Sequence, residues 1–400
     1  MAVYYEFEKI KGESAAFFGL FFILLALVLL GAYAFWLEFV NGKIMTGLSN
    51  QVTWGLMIAN VVYLIGASAG SLIISALAGV FGAEEYKPLS RIAAYLAALM
   101  IIGALLSIFI DIGRIEHGIN VVRYFNLTSI FAWNAFLYTS YLLICIVYLI
   151  AQFENWERLV KVLAVIAVVW AIFVHSGTGA IIGFIYSVDL WHSPLTPPLF
   201  IISAIASGIG IIIPVLILTF RAIGQEVDER LIRGLAKIML GMVFAIMYCF
   251  AVEYLTLGYV PAHREALNML LFSSKYPFSF VFWALDFGLG LVLPAIILVN
   301  PKTKTSPAWI SLAGLLVAGG VYAERYILIV PGLAYPKEIL PGMVMEHKPP
   351  FEFGAAYVPS WVESAEVIGI FALIFLAYLV GLKIFSLIPR KIETKEVAKA

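Results

Sequence analysis

The chain has 400 residues, of which 63% are hydrophobic and only 12% carry a charged side chain. An average soluble protein contains roughly 25% charged residues, so this composition excludes an ordinary soluble domain and is typical of an integral membrane protein. The formal net charge is zero, which gives no electrostatic reason to expect a nucleic acid as a partner.

Ten apolar segments are long enough to cross a membrane, because a helix of about 20 apolar residues spans roughly 30 Å of hydrocarbon. The sequence lacks the short alternating segments that build a transmembrane β-barrel. We therefore predict an all-α, multi-pass protein of the cytoplasmic membrane, in contact with membrane lipid. The approximate bounds of the ten helices are 15–37, 53–80, 90–111, 129–152, 159–186, 197–220, 235–257, 277–299, 308–329 and 364–388.

The basic residues are distributed unevenly between the connecting segments. If the N-terminus is cytoplasmic, most of the 25 Lys and Arg residues fall in cytoplasmic segments. Positive charge is enriched on the cytoplasmic side of membrane proteins, so both termini are predicted to be cytoplasmic. The first apolar run is too long for a signal-peptide core and is expected to be a retained helix.

An internal repeat lies in the second half of the sequence, since residues 208–218 (GIGIIIPVLIL) recur as 288–298 (GLGLVLPAIIL). Repeats of this kind relate helix pairs within membrane bundles, so helices six to nine are predicted to form one four-helix bundle. Helices two to five are expected to form another, flanked by helices one and ten. The predicted units are 1–52 (first helix and outer loop), 53–196 (first bundle), 197–329 (second bundle), 330–363 (an outer loop, rich in proline and aromatic residues, for partner docking) and 364–400 (last helix and cytoplasmic tail).

Two polar positions in the first half are candidates for chemistry. Asp111 and Arg114 end the third predicted helix, and a spacing of three places them on one helical face. They form either a structural salt bridge or a proton-accepting carboxylate tuned by a cation. His175 lies deep in an apolar helix, where an imidazole can hydrogen-bond a quinone carbonyl or accept a quinol proton near neutral pH. A hydrogen-bonded core histidine is the alternative.

Further charged residues lie within the later apolar segments, where a charge costs about 2.5–3.5 kcal/mol or more. Three carboxylates against one arginine leave a surplus of acid that an ion-pair lock between helices does not explain. The sequence therefore predicts a proton path as the alternative to a lock. Its members are Glu253, Asp286, Glu324 and Arg325.

The cysteines and the remaining histidines do not form a metal-binding pattern. Cys145 and Cys249 lie in separate predicted helices without a C-x-x-C motif, and they are expected to be packing residues. The other four histidines fall in predicted loops or helix ends, which disfavours haem ligation by a pair of axial ligands. We therefore expect no metal, haem or iron–sulfur cluster in this protein. These histidines are His117, His192, His263 and His347.

Several short stretches carry the pattern of a known family. The stretches are 54–60 (WGLMIAN), Gly66 with Gly70, 111–114 (DIGR), 123–126 (RYFN) with Ser129, 175–179 (HSGTG), 190–194 (LWHSP), Phe282 with Trp283, Pro294, and 324–326 (ERY). In them the sequence resembles the NrfD/PsrC family, the quinone-handling membrane subunits of iron–sulfur oxidoreductases. Ten helices and the stretch 323–326 (AERY) are most similar to the DsrP/HmeB branch, which is linked to sulfate or sulfur metabolism. The sequence departs from the family motif at Ile112, usually leucine, and at Ile115, usually proline.

The resemblance implies a subunit of a respiratory complex that exchanges electrons between menaquinol and an extracytoplasmic ferredoxin-like [4Fe–4S] subunit, with proton translocation as a further function. It also implies further subunits, among them a c-type cytochrome, a b-type cytochrome and a cytoplasmic iron–sulfur protein. On this hypothesis His175 is the ring-carbonyl partner, Asp111 the proton acceptor and Arg114 its electrostatic partner. The residues expected to line the quinone site are Trp133, Asn134, Tyr138, Gly177 and Gly179.

Two other classes of function stay open. Helices interrupted by glycine and proline, together with intramembrane charge pairs, also fit a secondary transporter. That alternative predicts substrate flux by the isolated protein in liposomes and no effect of quinone analogues. A purely structural anchor for partner subunits is the third class, and it leaves the surplus of buried carboxylates unexplained.

Overall fold

The computed structural model describes residues 5–225, 227–335 and 357–391. Ten helices in these residues are long and apolar enough to cross a membrane, which confirms the all-α, multi-span prediction. In sequence order they are α1 (Ala15–Asn41), α2 (Leu56–Phe81), α3 (Ser90–Ile112), α4 (Ile130–Phe153), α5 (Glu157–Gly183), α6 (Thr196–Ala222), α7 (Glu229–Tyr259), α8 (Phe278–Val299), α9 (Pro307–Ala334) and α10 (Trp361–Ile384).

Short elements connect the spanning helices and join the described ends of the protein. The strands β1 (Tyr5–Glu8) and β2 (Ile388–Lys391) pair antiparallel, so both described ends lie at one end of the helix bundle. Following the predicted orientation, we call this the inner end and the opposite one the outer end. The remaining short helices are Lys43–Met45, Glu84–Leu89, Ile115–His117, Asn120–Arg123, Pro261–His263 and Arg264–Phe272.

The helix ends follow local side-chain chemistry. Ser129 caps α4 by accepting a hydrogen bond from the backbone N–H of Ala132. Ser360 and Glu363 form a reciprocal capping box at the start of α10. At the other terminus of a helix, Gly113 ends α3 with a φ of 72°, a conformation that a residue with a Cβ adopts at a cost. This last break has a consequence for Arg114, described below.

Pairs of glycines bring the helices into backbone contact, as expected for membrane helices that associate through small residues. The two copies of the internal repeat pack on the same helix: Gly210 of α6 meets Gly314 of α9, and Gly290 of α8 meets Gly320 of α9. A Cβ added at Gly290 would stand 2.4 Å from the Cα of Gly320. The repeat is therefore a packing repeat that holds α9 between α6 and α8.

The two copies of the repeat differ in their local helix geometry. Residues 208–218 lie within the continuous α-helix α6. In α8 the central part, Val281–Val292, is a π-helix, and the α-helical geometry resumes at Leu293 before Pro294. π-helical segments are rare and frequently occur at functional sites. Asp286 lies in the middle of this one.

The arrangement of helices leaves α1 at the periphery. Only 6% of the most apolar 18-residue stretch of α1 is buried. In α2, by contrast, 83% of the corresponding stretch is buried among α3, α5, α6 and α9. α1 packs mainly against α10, where Gly31 meets Gly369. The division of the protein into two four-helix bundles stays a prediction. Most of the predicted docking loop, residues 336–356, and the tail beyond residue 391 lie outside the described residues.

Gly70→Ala is expected to destabilise the protein by about 1–3 kcal/mol, the usual cost of overpacking. A Cβ on Gly70 would stand 2.1 Å from the carbonyl oxygen of Ala204 and 2.9 Å from the Cα of Gly208, so α2 and α6 would have to separate. The measurement is the thermal unfolding midpoint of the purified protein. Gly241→Ala in α7 is the matched control, because no atom outside the adjacent backbone of its own helix lies within 4 Å of the added Cβ. Equal midpoints for the two variants would contradict the close contact.

Candidate functional site

A buried polar group joins α4 and α5. The Asn134 amide Nδ2 donates to the carbonyl oxygens of Ile130 and Gly177 at 2.9 and 3.0 Å. The Tyr138 hydroxyl, one turn further along α4, shares a hydrogen bond of 2.9 Å with Thr178 Oγ1. A Cβ on Gly177 would stand 2.8 Å from Asn134 Oδ1, so the glycine is needed for this contact. The structure thus brings together three of the five residues predicted to line one site: Asn134, Tyr138 and Gly177.

The other two predicted lining residues point elsewhere. The Trp133 side chain is 43% exposed, and its indole N–H donates to the carbonyl oxygen of Leu127 at 2.8 Å. Successive residues of a helix lie about 100° apart around its axis, so the neighbour of a buried Asn134 need not be buried. A Cβ on Gly179 would stand 2.6 Å from the Cα of Pro197 at the start of α6, which makes Gly179 a helix-packing residue.

His175 lies on the buried face of α5 and is only 2% exposed. Its Nδ1 is 2.9 Å from the carbonyl oxygen of Ala171, and a carbonyl only accepts hydrogen bonds, so Nδ1 carries the proton of the neutral ring. Nε2 is then an acceptor, and it has no hydrogen-bond partner. A Cβ on Gly66 of α2 would lie 3.8 Å from Nε2, so the glycine leaves free space beside this nitrogen.

Asp111 and Arg114 do not form the predicted pair. The Arg114 side chain is exposed, and the ion pairs among the described residues do not include one between it and Asp111. The physical reason is that Gly113 ends α3 with positive φ, so the helical spacing of three does not continue to Arg114. The cation that acts on Asp111 is Lys43. Asp111 is half-buried, and its Oδ1 is buried without a hydrogen-bond partner.

A second buried amide lies on α2, opposite the outer half of α3. Asn60 is completely buried, and its Nδ2 donates to Ser107 Oγ at 3.0 Å. Its Oδ1 has no partner. Ser107 lies four residues before Asp111, on the same face of α3. Asn60 belongs to the stretch 54–60 that matches the family pattern, whereas no feature of the sequence marks Ser107.

Arg325 forms the centre of a polar group in the second half. The side chain is fully buried, and it donates through Nη1 to Glu324 Oε1 at 2.8 Å and through Nη2 to Ser203 Oγ of α6. Its guanidinium carbon lies 4.0 Å from the centre of the Phe200 ring, a cation–π contact. These contacts tie α9 to α6. Ser203 and Phe200 are not recognisable as members of the site from the sequence.

The three predicted carboxylates of the second half line one cavity between α6, α7, α8 and α9. They are Glu253, Asp286 and Glu324, and the wall between them includes Tyr254 and Cys249. The space is about 40 Å³ for water-sized molecules, and a water needs at least about 10–15 Å³. Oδ2 of Asp286 and Oε2 of Glu324 are buried without a hydrogen-bond partner. The cavity therefore has room for water beside these carboxyl groups.

Glu253 connects this cavity to the outer end of the molecule. It is half-buried near the outer end of α7, and it accepts a hydrogen bond of 2.5 Å from Ser193 Oγ. Ser193 lies in the connection between α5 and α6. Within residues 5–225, 227–335 and 357–391, no group of three or more His, Cys, Asp or Glu side chains is placed to hold a metal ion. Cys145 and Cys249 are free, buried thiols on α4 and α7.

Comparison with known proteins identifies the family. The family model described as polysulphide reductase, NrfD, matches residues 44–337. The sequence is 50% identical to the Hdr-like menaquinol oxidoreductase integral membrane subunit of Archaeoglobus fulgidus, over 96% of this protein and 97% of that one. It is 24% identical to the menaquinone reductase, integral membrane subunit, of Nitratidesulfovibrio vulgaris, over 91% and 90% of the two proteins. It is also 24% identical to the C subunit of polysulfide reductase from Wolinella succinogenes, over 72% and 96%. The chain is therefore a multi-pass integral membrane protein that belongs to the polysulphide reductase NrfD family.

Proposed function

We propose that the protein is the quinol-binding membrane subunit of a respiratory oxidoreductase complex. Menaquinol would bind among α2, α3, α4 and α5 near their outer ends. Its electrons would pass to an extracytoplasmic iron–sulfur subunit, in a complex linked to sulfate or sulfur metabolism. The names of the relatives from Archaeoglobus fulgidus and Nitratidesulfovibrio vulgaris, a menaquinol oxidoreductase subunit and a menaquinone reductase subunit, support this class of substrate.

The observation that carries the proposal is a set of buried acceptor atoms without partners. They are Asn60 Oδ1, Asn134 Oδ1 and His175 Nε2, on α2, α4 and α5. Leaving a buried acceptor unpaired costs about 1–3 kcal/mol, so these atoms favour a ligand that donates hydrogen bonds. A quinol offers two hydroxyl donors, whereas a quinone offers only carbonyl acceptors. The unpaired acceptors therefore favour the reduced form as the ligand.

We assign each residue a role on the basis of its contacts. Oxidation of menaquinol supplies two electrons and two protons. His175 Nε2 would accept a hydroxyl proton, because the Ala171 carbonyl holds the other ring proton on Nδ1. Asn134 and Asn60 would orient the ring through their free amide oxygens. Asp111 would take the proton onward toward the outer end, with Lys43 rather than Arg114 as the neighbouring cation.

The carboxylate-lined cavity of the second half supports a separate proton path. Glu253, Asp286 and Glu324 would exchange a proton through the water that the cavity can hold, with Arg325 fixing Glu324 in place. Chains of intramembrane carboxyl groups mark proton relays in other membrane proteins. The π-helical segment that carries Asp286 gives this carboxyl its position in the cavity wall.

The proposal predicts that the purified protein binds a fluorescent menaquinol analogue saturably, and that reduction of the analogue strengthens binding by roughly tenfold through the donor–acceptor match. Asn134→Ala is expected to weaken binding by a similar factor. Fluorescence quenching in a titration measures both effects. Trp133→Phe is the matched control, because Trp133 is next to Asn134 in the sequence but lies on the exposed side of the same helix.

The possible outcomes separate the classes of function. Equal weakening by Trp133→Phe and Asn134→Ala would move the site to the exposed face of α4. Tighter binding of the oxidised analogue would contradict the acceptor argument. No saturable binding by the folded protein, combined with substrate flux in liposomes, would support the secondary transporter instead.

A further inference from the structure

Four carboxyl groups gather at the outer end of α1, α3 and α10, away from the residues singled out in the second half. We call them the outer carboxylate cluster: Glu38, Asp111, Glu363 and Glu366. Lys43, in the short helix after α1, is the cation that acts on Glu38, Asp111 and Glu366. Of the four acids, the sequence analysis singles out Asp111 alone. The cluster therefore holds more acid than its cation can neutralise.

Glu363 accepts hydrogen bonds from three donors and has a structural role. Its carboxylate accepts hydrogen bonds from the backbone N–H groups of Gly47 and Ser360, at 2.7 and 3.0 Å, and from the Tyr357 hydroxyl at 2.6 Å. Burial, followed by the charge of Glu363, raises the pKa of Tyr357, so this hydroxyl remains a donor. Three donors stabilise an ionised carboxylate. These three donors thus fix the Glu363 side chain at the start of α10.

Glu38 is also paired. Its Oε1 lies 2.6 Å from Lys43 Nζ, and the same ammonium group donates to the carbonyl oxygen of Ile110 at 3.1 Å. Ile110 directly precedes Asp111, so the lysine bridges α1 and the end of α3. Lys43, the cation beside the cluster, has 34% of its side chain exposed. It therefore marks the side on which water reaches the cluster.

Glu366 is different, because it is only 2% exposed and neither carboxylate oxygen accepts a hydrogen bond from a donor group. Three charged groups act on it: Glu38 of α1, Lys43 of the short helix after α1, and Glu363 of α10 itself. Two of these three are acids. A buried carboxylate without donors, beside other carboxylates, is strongly disfavoured. As a carboxylic acid, Glu366 has one O–H to donate, and Glu38 is the neighbouring acceptor.

We propose that Glu366 is a proton-carrying carboxyl group, and that with Glu38 and Lys43 it links Asp111 to the aqueous phase at the outer end. Glu38 acts electrostatically on both Asp111 and Glu366, so it is the shared neighbour through which a proton would pass from one to the other. Each transfer breaks one O–H bond and forms one, and no electrons move. The delivery of protons to Asp111 rests on the proposed function, whereas the proton on Glu366 does not.

The first test is infrared spectroscopy of the full-length protein in lipid nanodiscs at neutral pH. Glu366→Gln is expected to remove a C=O band of a protonated carboxylic acid, and Glu229→Gln, an exposed glutamate on α7, is expected to leave it. Glu38→Gln is expected to shift the same band, because it replaces the carboxylate that accepts the proton. An unchanged band in Glu366→Gln, or an unshifted band in Glu38→Gln if the first variant does not fold, overturns the proposal.

The second test measures quinol-driven proton release at the outer face, using the whole complex in liposomes with a pH-sensitive dye. Glu366→Gln is expected to slow release by roughly tenfold to a hundredfold, within the range for loss of one proton-transfer group. The affinity for the quinol analogue is expected to stay unchanged. Unaltered release overturns the proposed route. Failure of the wild-type protein to bind the analogue overturns the proposed function instead, and the infrared band still decides the state of Glu366.

Discussion

Replacing Arg325 with methionine is expected to destabilise the protein by about 3–5 kcal/mol, the usual cost of leaving one partner of a buried ion pair alone. The guanidinium is fully buried and bonds Glu324 of its own helix and Ser203 of α6, so its removal leaves Glu324 unpaired and breaks a contact between α9 and α6. Chemical unfolding of the purified variant measures the loss. Arg233→Met is the matched control: its side chain is 39% exposed and forms a long pair with Glu229. Such an exposed pair contributes about 0.3–0.5 kcal/mol.

The double variant Arg325→Met with Glu324→Leu tells an ion-pair lock from a proton path. Replacing a buried ion pair by apolar residues of similar volume is often neutral for stability. We therefore expect the double variant to recover most of the loss. If the pair is only a lock, quinol-dependent turnover returns with stability. If Glu324 is part of a proton path, the stable double variant still fails to move protons. If Arg325→Met alone were as stable as the wild type, Arg325 would not form an ion pair with an ionised Glu324.

The spanning helices are predictable because each requires only a long apolar run, and the ten predicted segments differ from the helices mainly at their ends. The residues that the sequence analysis misses lie near these helix ends. The first helix is predicted to stop at residue 37, one residue before Glu38, yet α1 continues to Asn41. Glu366 is the third residue of the last predicted segment, where the rule for intramembrane carboxylates would find it. The sequence alone does not show that these two acids meet.

Members of the candidate site can be predicted where the residue type alone identifies them. The prediction fails where it depends on the local backbone geometry. Glu253, Asp286 and Glu324 are recognisable because a carboxylate in an apolar segment is costly, and the structure brings all three to one cavity. Helical spacing pairs Asp111 with Arg114, but Gly113 interrupts the helix between them. The π-helix of α8 is also out of reach, because the matching copy of the repeat, residues 208–218, is α-helical.

His175→Ala is expected to lower quinol-dependent electron transfer by about 10²–10⁴-fold, the usual contribution of a positioned general base. The reason lies in the hydrogen bonds of the ring: Ala171 holds the proton on Nδ1, and the unpaired Nε2 is left as the acceptor. The measurement is the reduction rate of the partner's electron acceptor with menaquinol as the donor. His192→Ala is the control, because His192 is an exposed residue of the connection between α5 and α6, and this variant is expected to retain turnover.

His175→Gln separates binding from proton transfer. The glutamine side-chain oxygen accepts a hydrogen bond as Nε2 does, but an amide does not take up a proton near neutral pH. We therefore expect this variant to keep most of the affinity for the quinol analogue while losing turnover as the alanine variant does. Because it also fills the buried space, a lost turnover cannot be attributed to a cavity. Normal turnover of His175→Gln would assign the first proton-accepting step to Asp111, and would leave His175 as a buried residue that packs α5 against α2.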